Sequence, residues 1–458
     1  MIRRRAVSPL EVTRAFLDRI ERVNPRLNAY CTVAADQALA AARRATVQVT
    51  RRGTRLGALH GVPVSIKDLT PTKGIRTTWG SKIFEHHVPD EDGLVVERLK
   101  AAGGIVLGKT NTPEFGAGAN TFNAVFGPTR NPWNPALTCG GSTGGGAVAL
   151  ATGMGPLAQG SDLGGSLRIP AAFCGVVGLR PSPGLVPIHP TDVAWDAYAV
   201  QGPMARTVGD LALMLAAIAG PDARSPISYP IDVRTFTAAV QRPSVKGLRV
   251  AWSADLGVTP VDAEIAQICV AATGVFRRLG ARVDTAHPDF DGVVEVINAS
   301  RGLRMVAAHE DRLPKWRDVM QINLVGNVDA GLRLTASDIA RAEKHRTELW
   351  RRVRAFLHRY DVILTPTAPI PPFPVEVTHP TEINGRPMAN YIQWGLLTYA
   401  FTVVGVPAMS VPCGFTSAGL PVGLQITGRW RDEVTVLRVA AAFEAAAPWA
   451  DRRPPEPA

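Results

Sequence analysis

Cysteine is scarce in this chain. Only five of its 458 residues are cysteines, they stand far apart, and no Cys-x-x-Cys pair occurs. Small disulfide-held domains and cysteine-rich zinc modules both need closely spaced cysteines. We therefore expect neither a disulfide framework nor a zinc site, and the sequence predicts no metal and no cofactor.

Long apolar runs are absent as well. No stretch of about 18 consecutive apolar residues occurs that could span a bilayer. The amino-terminal segment MIRRRAVSPLEV is positively charged but lacks the apolar core of a secretion signal. Hydrophobic residues make up 46% of the chain and charged residues 19%, which is ordinary for a soluble globular enzyme. We expect a soluble, cytoplasmic protein with no membrane partner.

The chain has an excess of positive charge, but this excess is not concentrated in any one segment. The formal net charge is +11, but the basic residues are scattered or paired, as in Arg43-Arg44, and form no long run. Patterns typical of zinc fingers, RNP motifs or basic zippers do not occur, and no glycine-rich run ends like a nucleotide phosphate loop. We expect no nucleic-acid partner. The predicted partner is a small-molecule substrate, bound by a monomer or homodimer.

The chain alternates between short apolar strands and amphipathic helices. Ser8 begins the first helix with a capping box, and we expect that helix to stop at Asn24-Pro25. Strand, helix and strand patterns over 248–283 are typical of a βαβ unit. Such alternation predicts an α/β fold with a largely covered mixed sheet. No repeat and no long polar linker divides the chain, so residues 1–458 are expected to form one domain.

Residues 139–170, CGGSTGGGAVALATGMGPLAQGSDLGGSLRIP, hold two hydroxyl residues in glycine-rich surroundings, Ser142 and Ser166. Glycine serves tight turns and close backbone approach, and such runs are often only flexible loops. Here, however, good helix formers follow the first cluster. The second cluster, residues 162–166, presents backbone N–H groups with few side chains in the way, which suits an oxyanion hole. A hydroxyl beside an oxyanion hole still needs a base.

Lys67 is the candidate base. It ends the apolar strand 62–66, and the ends of strands are where α/β sheets usually place their sites. Burial lowers the pKa of a lysine, and a neutral lysine can accept a proton from serine. The simpler interpretation is a solvated lysine paired with Asp68. Sequence spacing alone does not bring Lys67 to Ser142.

A family resemblance bears on that question. The run GGSTGGG…GSDLGGSLRIPAAFCGVVGLRPS resembles the signature of the amidase signature family, and GVPVSIKD resembles that family's lysine motif. The likeness extends almost end to end through SPLEVTRAFLDRIERVNPRLNAY, GKTNTPEFG, RNPWNP, GPMART, LTPTAP and LPVGLQITGRW. It implies an α/β/α fold around a twisted mixed sheet of about eleven strands, with helices on both faces. The core signature would occupy residues 61–185, and variable substrate loops about 285–345.

The resemblance also implies roles for individual residues. Lys67 would be the base, Ser142 a bridging serine preceded by a cis peptide bond, and Ser166 the nucleophile that forms an acyl-enzyme. The expected oxyanion donors are the backbone N–H groups of four consecutive residues, Leu163, Gly164, Gly165 and Ser166. The residues expected to support the site are Gly141, Thr143, Asp162 and Arg168.

The sequence departs from the family pattern in two places. Thr143 stands where a second serine is more usual, but it keeps a hydroxyl, so we expect little loss. The chain also begins almost at the helix that usually comes second, which would expose apolar surface or reflect a misassigned start.

The predicted activity is hydrolysis of linear carboxylic amide C–N bonds. Aliphatic and aryl amides and anilides are the expected substrates, with esters and carbamates as further candidates because they share the acyl-enzyme route. One alternative is a component of a glutamyl-tRNA amidotransferase, similar to its A-type amidase component. A remote alternative is an α/β-hydrolase-type esterase, because GGSTG also matches a nucleophile elbow centred on Ser142.

Aromatic residues are the candidates for the substrate pocket, although aromatics at helical spacing are more often core. The loops expected to shape the pocket are 122–126, 189–198, 305–323 and 391–399. The individual candidates are Phe126, Trp195, Tyr198, Tyr391 and Trp394.

Overall fold

The computed structural model describes residues 1–51 and 53–456. Its centre is an eleven-stranded mixed sheet with the strand order β1-β3-β2-β4-β6-β5-β12-β13-β9-β7-β8. A separate pair, β10 and β11, forms a small hairpin. The strands are β1 Tyr30–Val33, β2 Pro63–Lys67, β3 Ile105–Thr110, β4 Leu157–Asp162, β5 Val177–Arg180, β6 Val200–Ala205, β7 Arg249–Trp252, β8 Arg282–Thr285, β9 Val362–Pro366, β10 Glu382–Ile383, β11 Arg386–Pro387, β12 Ala408–Phe415 and β13 Pro421–Gly428.

Helices pack on both faces of this sheet, and the predicted α/β/α architecture is confirmed. The helices are α1 Pro9–Leu27, α2 Ala35–Thr50, α3 Leu94–Ala101, α4 Gly144–Ala151, α5 Arg168–Cys174, α6 Val208–Ile218, α7 Arg234–Gln241, α8 Ala263–Arg278, α9 Val293–His309, α10 Leu313–Trp316, α11 Ile322–Leu332, α12 Ala336–Arg359, α13 Leu396–Val403 and α14 Glu433–Ala446.

The alternation of side chains along β2 decides which face carries Lys67. Successive residues of a strand point to opposite faces. Val64 and Ile66 belong to the large apolar cluster on one face, so Ser65 and Lys67 point to the other. That second face holds α4, which packs on β2, β3 and β4. The lysine and the glycine-rich segment therefore meet on the same side of the sheet.

Parallel pairing brings the ends of two strands together at the site. β2 lies between β3 and β4 and runs parallel to both, with Ile66 opposite Gln159. Lys67 and Asp162 are the last residues of β2 and β4. The carboxyl ends of parallel strands lie at the same sheet edge, where α/β folds bind ligands. The same edge thus carries both the lysine and the start of the Ser166 loop.

Glycine lets α4 approach this edge closely. A Cβ on Gly145 would lie 2.4 Å from the amide nitrogen of Asn111 and 2.5 Å from the carbonyl oxygen of Ala29. No side chain fits there. The glycines after Ser142 therefore serve packing of the helix against the sheet, and the first turn of α4 can sit directly behind the site.

Two predictions about elements are wrong. The first helix does not stop at Asn24-Pro25 but continues to Leu27, because Asn28 closes it in a left-handed conformation and donates to the carbonyl of Asn24. Region 285–345, expected as variable loops, is largely helical and contains α9, α10, α11 and the start of α12. The apolar residues of these helices bury against each other and against α12, which outweighs the weak helical pattern of the segment.

Candidate active site

Lys67 is completely buried, and hydroxyl groups surround its amine. Its Nζ lies 2.7 Å from Ser142 Oγ, 3.0 Å from Thr143 Oγ1 and 3.1 Å from Ser161 Oγ. Asp68 is turned elsewhere: its carboxylate accepts from Thr78. The interpretation of Lys67 as a solvated partner of Asp68 is therefore wrong.

Burial also changes the charge of this amine. It lowers the pKa of Lys67 from its ordinary value to about 7, because the charged form loses its hydration, although the nearby Asp162 carboxylate acts in the opposite direction. A substantial fraction of Lys67 is consequently neutral at neutral pH. A neutral amine has a lone pair that can accept a proton.

Ser142 stands at the turn before α4. The peptide bond between Gly141 and Ser142 is cis. A Cβ on Gly141 would lie 2.9 Å from the amide nitrogen of Asn120, so the turn tolerates no side chain before Ser142. Beyond it, the Thr143 amide donates to the carbonyl oxygen of Ser166 at 3.2 Å. This hydrogen bond joins the two glycine-rich segments.

The Ser166 loop is held from within by Asp162. Its Oδ1 accepts from the amide of Gly165 at 2.9 Å, and its Oδ2 accepts from the amide of Leu167 at 3.1 Å. Gly165 has φ +130°, a conformation that favours glycine. The carboxylate therefore fixes the backbone on both sides of Ser166, which is half-buried.

Two buried arginines neutralise Asp162. Arg168 donates to both of its oxygens, at 2.9 and 3.1 Å, and Arg180 donates to its backbone carbonyl at 2.8 Å. Burial alone would raise the pKa of Asp162, but the two guanidinium groups outweigh it and hold the pKa well below its ordinary value. Arg168 also donates to the carbonyl of Thr398 at 2.9 Å and to Gln425 at 2.8 Å. Asp162 and Arg168 thus brace the loop.

The four amides expected to hold an oxyanion are not equivalent. The N–H of Gly165 is already donated to Asp162. Within residues 1–51 and 53–456, the N–H groups of Leu163, Gly164 and Ser166 donate to no protein acceptor. Three of the four remain available to a ligand, and Gly165 acts in shaping the loop.

A cavity of about 410 Å³ opens onto Ser142 and Ser166. Its wall is more apolar than polar and includes three large aromatic rings and several basic side chains. The main wall residues are Leu69, Trp79, Phe84, Phe115, Ile188, Met305, His309, Arg304 and Arg312. Burial, with Arg312, Arg304 and Arg301, lowers the pKa of His309 to about 3, so this imidazole is neutral.

A second, smaller cavity of about 30 Å³ also borders Ser166. It shares Gly116, Leu163 and Ser166 with the large cavity. Its remaining wall includes Arg301, Tyr391 and Tyr399. Ser166 therefore stands where two spaces of different size meet.

The structure places the five predicted pocket aromatics in different surroundings, and three predictions are wrong. Trp394 is fully buried between Phe173 and Phe373 in an apolar cluster, so it belongs to the core. Trp195 is 77% exposed. Phe126 lies over the Arg76 guanidinium and lines neither cavity. The position of an aromatic residue in a helical or loop segment of the sequence does not show whether its ring faces a ligand.

The other two aromatics lie close to the Ser166 loop. Tyr391 lines the small cavity. Tyr198 lies behind Leu163, where its hydroxyl accepts from Ser300 at 2.8 Å and its ring lies under Arg346. Segments 189–193 and 305–312 do line the large cavity, as expected for pocket-shaping regions.

Sequence reasoning missed two groups of site residues. Ser161 contacts the Lys67 amine, and its position beside Asp162 at the end of β4 was the available signal. The aromatic wall of Trp79, Phe84 and Phe115 comes from loop segments with no periodicity, so no sequence pattern indicated it.

Residues 1–51 and 53–456 contain neither a metal-binding cluster nor a membrane-spanning helix. No group of three or more His, Cys, Asp or Glu side chains in that range could hold a metal ion. No helix in the same range combines the length and apolar character that crossing a bilayer requires.

The chain is similar to known proteins over almost its whole length. The model of the family described as Amidase matches residues 11–437. An acylamidase of Rhodococcus erythropolis is 40% identical over 451 residues, covering 98% of this chain and 94% of the relative. The A-type component of the glutamyl-tRNA(Gln) amidotransferase of Thermosynechococcus vestitus is 36% identical over 476 residues, covering 98% and 97%.

Among solved structures, a bacterial aryl acylamidase of the amidase signature enzymes superposes with a TM-score of 0.92. The two are 31% identical, and the match covers 98% of this chain and 95% of the other.

Proposed function

This chain belongs to the amidase family and is an amide-hydrolysing enzyme, and from that premise we propose that Ser166 attacks the substrate carbonyl while Ser142 and Lys67 relay its proton. The observation that carries the proposal is the 2.7 Å contact between the buried Lys67 amine and Ser142 Oγ. A neutral amine at that distance is a base for the hydroxyl, in the manner of known serine–lysine pairs.

The hydrogen bonds around Lys67 favour one direction of proton transfer. The Thr143 hydroxyl donates to the carbonyl of Ser161 at 3.2 Å, so its oxygen accepts from Lys67. Ser161 Oγ can accept the second N–H of a neutral amine. The remaining lone pair then faces Ser142, whose O–H donates to it. Ser142 Oγ keeps its own lone pairs free to accept the proton of Ser166.

The reaction then follows in two stages. Ser166 Oγ forms a bond to the carbonyl carbon while its proton passes to Ser142, and the Ser142 proton passes to Lys67. The amides of Leu163, Gly164 and Ser166 receive the oxyanion, each such donor contributing about 3–4 kcal/mol in the transition state. As the C–N bond breaks, Ser142 gives a proton to the leaving amine and takes one back from Lys67, so that the lysine is neutral again. Water then cleaves the acyl-enzyme by the reverse relay.

The large cavity favours amides with an apolar or aryl group. Trp79, Phe84 and Phe115 offer ring faces, and a volume of about 410 Å³ accommodates an aryl amine. Acylamidase and aryl acylamidase relatives support the same class of substrate. We propose a broad amidase for aliphatic and aryl amides and anilides, with esters and carbamates as further substrates of the same acyl-enzyme route.

Two measurements test this proposal. A fluorophosphonate should label Ser166, as located by mass spectrometry, and the label should vanish in Ser166→Ala but persist in the exposed control Ser244→Ala. The kcat/KM values for a p-nitroanilide, a primary amide, an ester and a carbamate should rank the substrate classes. Labelling at another residue, or full turnover by Ser166→Ala, would refute the role of Ser166.

A second candidate function rests on the 36% identity to the A-type component of an amidotransferase over almost the whole chain. That function would require glutamine hydrolysis and partner proteins. The purified chain alone should hydrolyse simple amides without releasing ammonia from glutamine. Glutaminase activity that appears only with the added partner proteins would favour the second candidate instead.

The α/β-hydrolase alternative is set aside by the family membership. It would require a histidine beside Ser142, whereas the side chain that contacts Ser142 Oγ is Lys67. The GGSTG run here leads into a tight approach of α4 to the sheet.

A further inference from the structure

Arg301 is a buried cation in an unusual setting. It lies on α9, is 6% exposed, and borders the small cavity beside Ser166. Within residues 1–51 and 53–456, no carboxylate lies within ion-pair distance of its guanidinium. The carboxylate nearest to Ser166 in the loop, Asp162, is already paired with Arg168 and Arg180. Charged side chains are seldom buried unless they are paired or bind a ligand.

The partners of Arg301 are neutral oxygen atoms. Its Nε donates to Asn327 Oδ1 at 2.8 Å, one terminal nitrogen donates to Tyr399 Oη at 3.0 Å, and the other donates to Tyr391 Oη. We call Arg301, Tyr391 and Tyr399 the donor cluster. Asn327 Nδ2 also donates to the Tyr391 oxygen, at 2.8 Å.

The donor cluster has more hydrogen-bond donors than acceptors. A guanidinium has five N–H groups, and the contacts above use three. Both phenol oxygens act as acceptors, and within residues 1–51 and 53–456 neither hydroxyl donates a hydrogen bond of its own. The cluster therefore offers spare donors and a net positive charge, and it has no acceptor to match them. A ligand group rich in acceptors would complete it.

The donor cluster is also adjacent to the nucleophile loop. A Cβ on Gly164 would lie 2.0 Å from the ring of Tyr399, so this ring rests directly on the Gly164 backbone. The wall of the small cavity runs from the donor cluster through Leu163, Gly164 and Gly165 to Ser166, and it contains no acidic side chain. A group bonded to the carbonyl under attack at Ser166 can therefore extend into this cavity while the amine portion occupies the larger one.

We propose that the donor cluster binds a carboxylate at the end of a short acyl chain, so that half-amides of small dicarboxylic acids are preferred substrates. This inference rests on the proposed role of Ser166. A carboxylate supplies several acceptor sites and the missing negative charge, and planar guanidinium groups bind carboxylates well. The cavity of about 30 Å³ limits the acyl chain to a few atoms. Free glutamine fits less well, because no acidic side chain there would receive its ammonium group.

A pair of anilides tests the proposal directly. The succinyl and 4-methylpentanoyl p-nitroanilides have acyl chains of nearly the same shape, but only the first ends in a carboxylate. We expect kcat/KM to favour the succinyl compound by at least about tenfold, the effect of charged hydrogen bonds in a dry site. Equal rates, or a preference for 4-methylpentanoyl, would overturn the proposal. Hydrolysis of the neutral anilide with labelling at Ser166 would show that the proposed function itself survives.

Variants separate binding by the donor cluster from support of the loop. Arg301→Met and the milder Tyr391→Phe should both reduce the succinyl preference. The exposed control Arg333→Met should leave it unchanged. A purely supporting role for Arg301 would lower the rates for both substrates equally and keep their ratio, which would contradict the proposal.

A third measurement does not depend on the folding of any variant. Succinate should inhibit the wild-type enzyme competitively, with a Ki at least about tenfold lower than that of 4-methylpentanoate. Similar inhibition constants for the two acids would count against the donor cluster as a carboxylate site.

Discussion

Lys67 is a lysine whose burial lowers its pKa, so that it is partly neutral at neutral pH. Its amine lies at the end of a central strand, without contact to solvent, among three hydroxyl groups. Hydroxyl oxygens can accept from an ammonium group but do not neutralise it, so burial dominates and the pKa falls to about 7. Burial therefore makes a neutral fraction of the amine available near neutral pH, while the hydroxyl contacts orient it.

The pKa of Lys67 predicts how activity depends on pH. Only the neutral amine accepts a proton, and it forms as the pH rises through the pKa. We expect kcat/KM for a neutral p-nitroanilide to increase from pH 5.5 and reach a plateau, with an inflection at about pH 7. Lys67→Arg should be inactive at every accessible pH, because arginine stays protonated. A flat profile through this range for the wild-type enzyme would contradict Lys67 as the base.

Asp162 contributes to stability more than to chemistry. Its carboxylate compensates two buried arginines and holds two loop amides. Asp162→Asn would leave Arg168 and Arg180 without a counter-charge, so we expect the free energy of unfolding in urea to fall by about 3–5 kcal/mol. Asp232→Asn, which breaks the exposed pair with Arg234, should leave it unchanged within error. Equal stabilities for the two variants would show that the buried network is unimportant.

At the residue scale, motifs were more informative about the site than aromatic residue type was about the pocket. Lys67 and the two serines stand in short runs with a specific resemblance, and the structure brings Lys67 against Ser142 and opens one cavity onto both serines. Trp394 and Trp195 are aromatic residues of the segments 391–399 and 189–198, which the sequence indicates as pocket loops. One is core and the other is exposed. Which way a ring points depends on tertiary packing, and residue type carries no information about it.

At the scale of elements, the crossing of α9 and α11 shapes the substrate side of the site. The two helices touch through glycines: a Cβ on Gly331 would lie 2.3 Å from the carbonyl oxygen of Gly302. Helix α9 carries Arg301 toward the small cavity and Met305 and His309 toward the large one. The close crossing therefore determines how far the wall of both cavities stands from Ser166.

Substituting the two glycines of α11 should have opposite effects. Gly331→Ala must push α11 away from α9, so we expect a loss of about 1–3 kcal/mol in the free energy of unfolding and a raised KM. Gly326→Ala in the same helix meets nothing within 4 Å and should gain up to about 1 kcal/mol from helix propensity. Urea unfolding and p-nitroanilide kinetics measure both effects. If the two alanines behave alike, the close crossing is not what positions α9.

The element patterns in the sequence were informative where helices are amphipathic and capped. The helix expected within the strand, helix and strand pattern over 248–283 corresponds to α8, which begins with a side-chain cap at Asp262. Region 285–345 gave a weaker signal, since α9 and α11 bury small and polar residues such as Gly302, Asn327 and Gly331. Those helices form because their partners pack against them, which a local pattern does not reveal.

At the scale of the whole molecule, the sheet joins distant parts of the chain. Strands β12 and β13 lie between β5 and β9, so residues after 408 complete a sheet begun before residue 34. Local alternation of strands and helices predicts the fold class but not this order. The family resemblance supplied the expected number of strands and the two covered faces, because non-local pairing follows the complete chain rather than any one segment.

That residues 1–458 form one domain stays a prediction, and the apolar core is relevant to it as well as the sheet. One apolar cluster contains residues from Ala34 to Trp449 and draws on strands from both halves of the sheet. Phe276 of α8 stacks on Phe443 of α14 with ring centroids 5.2 Å apart, which joins two of the helices in that cluster. Because this cluster draws on both parts of the chain, partial unfolding would expose it to water.

We therefore expect a single cooperative transition in urea. Far-UV circular dichroism, fluorescence of the nine tryptophans and the fraction of Ser166 that reacts with a fluorophosphonate should change with the same midpoint, because the labelled loop, the sheet and the apolar cluster lose structure together. Two separated transitions, with labelling lost in the first and most of the dichroism in the second, would instead mean two units. The weaker one would then contain β7, β8 and β9 at the edge of the sheet, and a protease added between the midpoints should cleave there first.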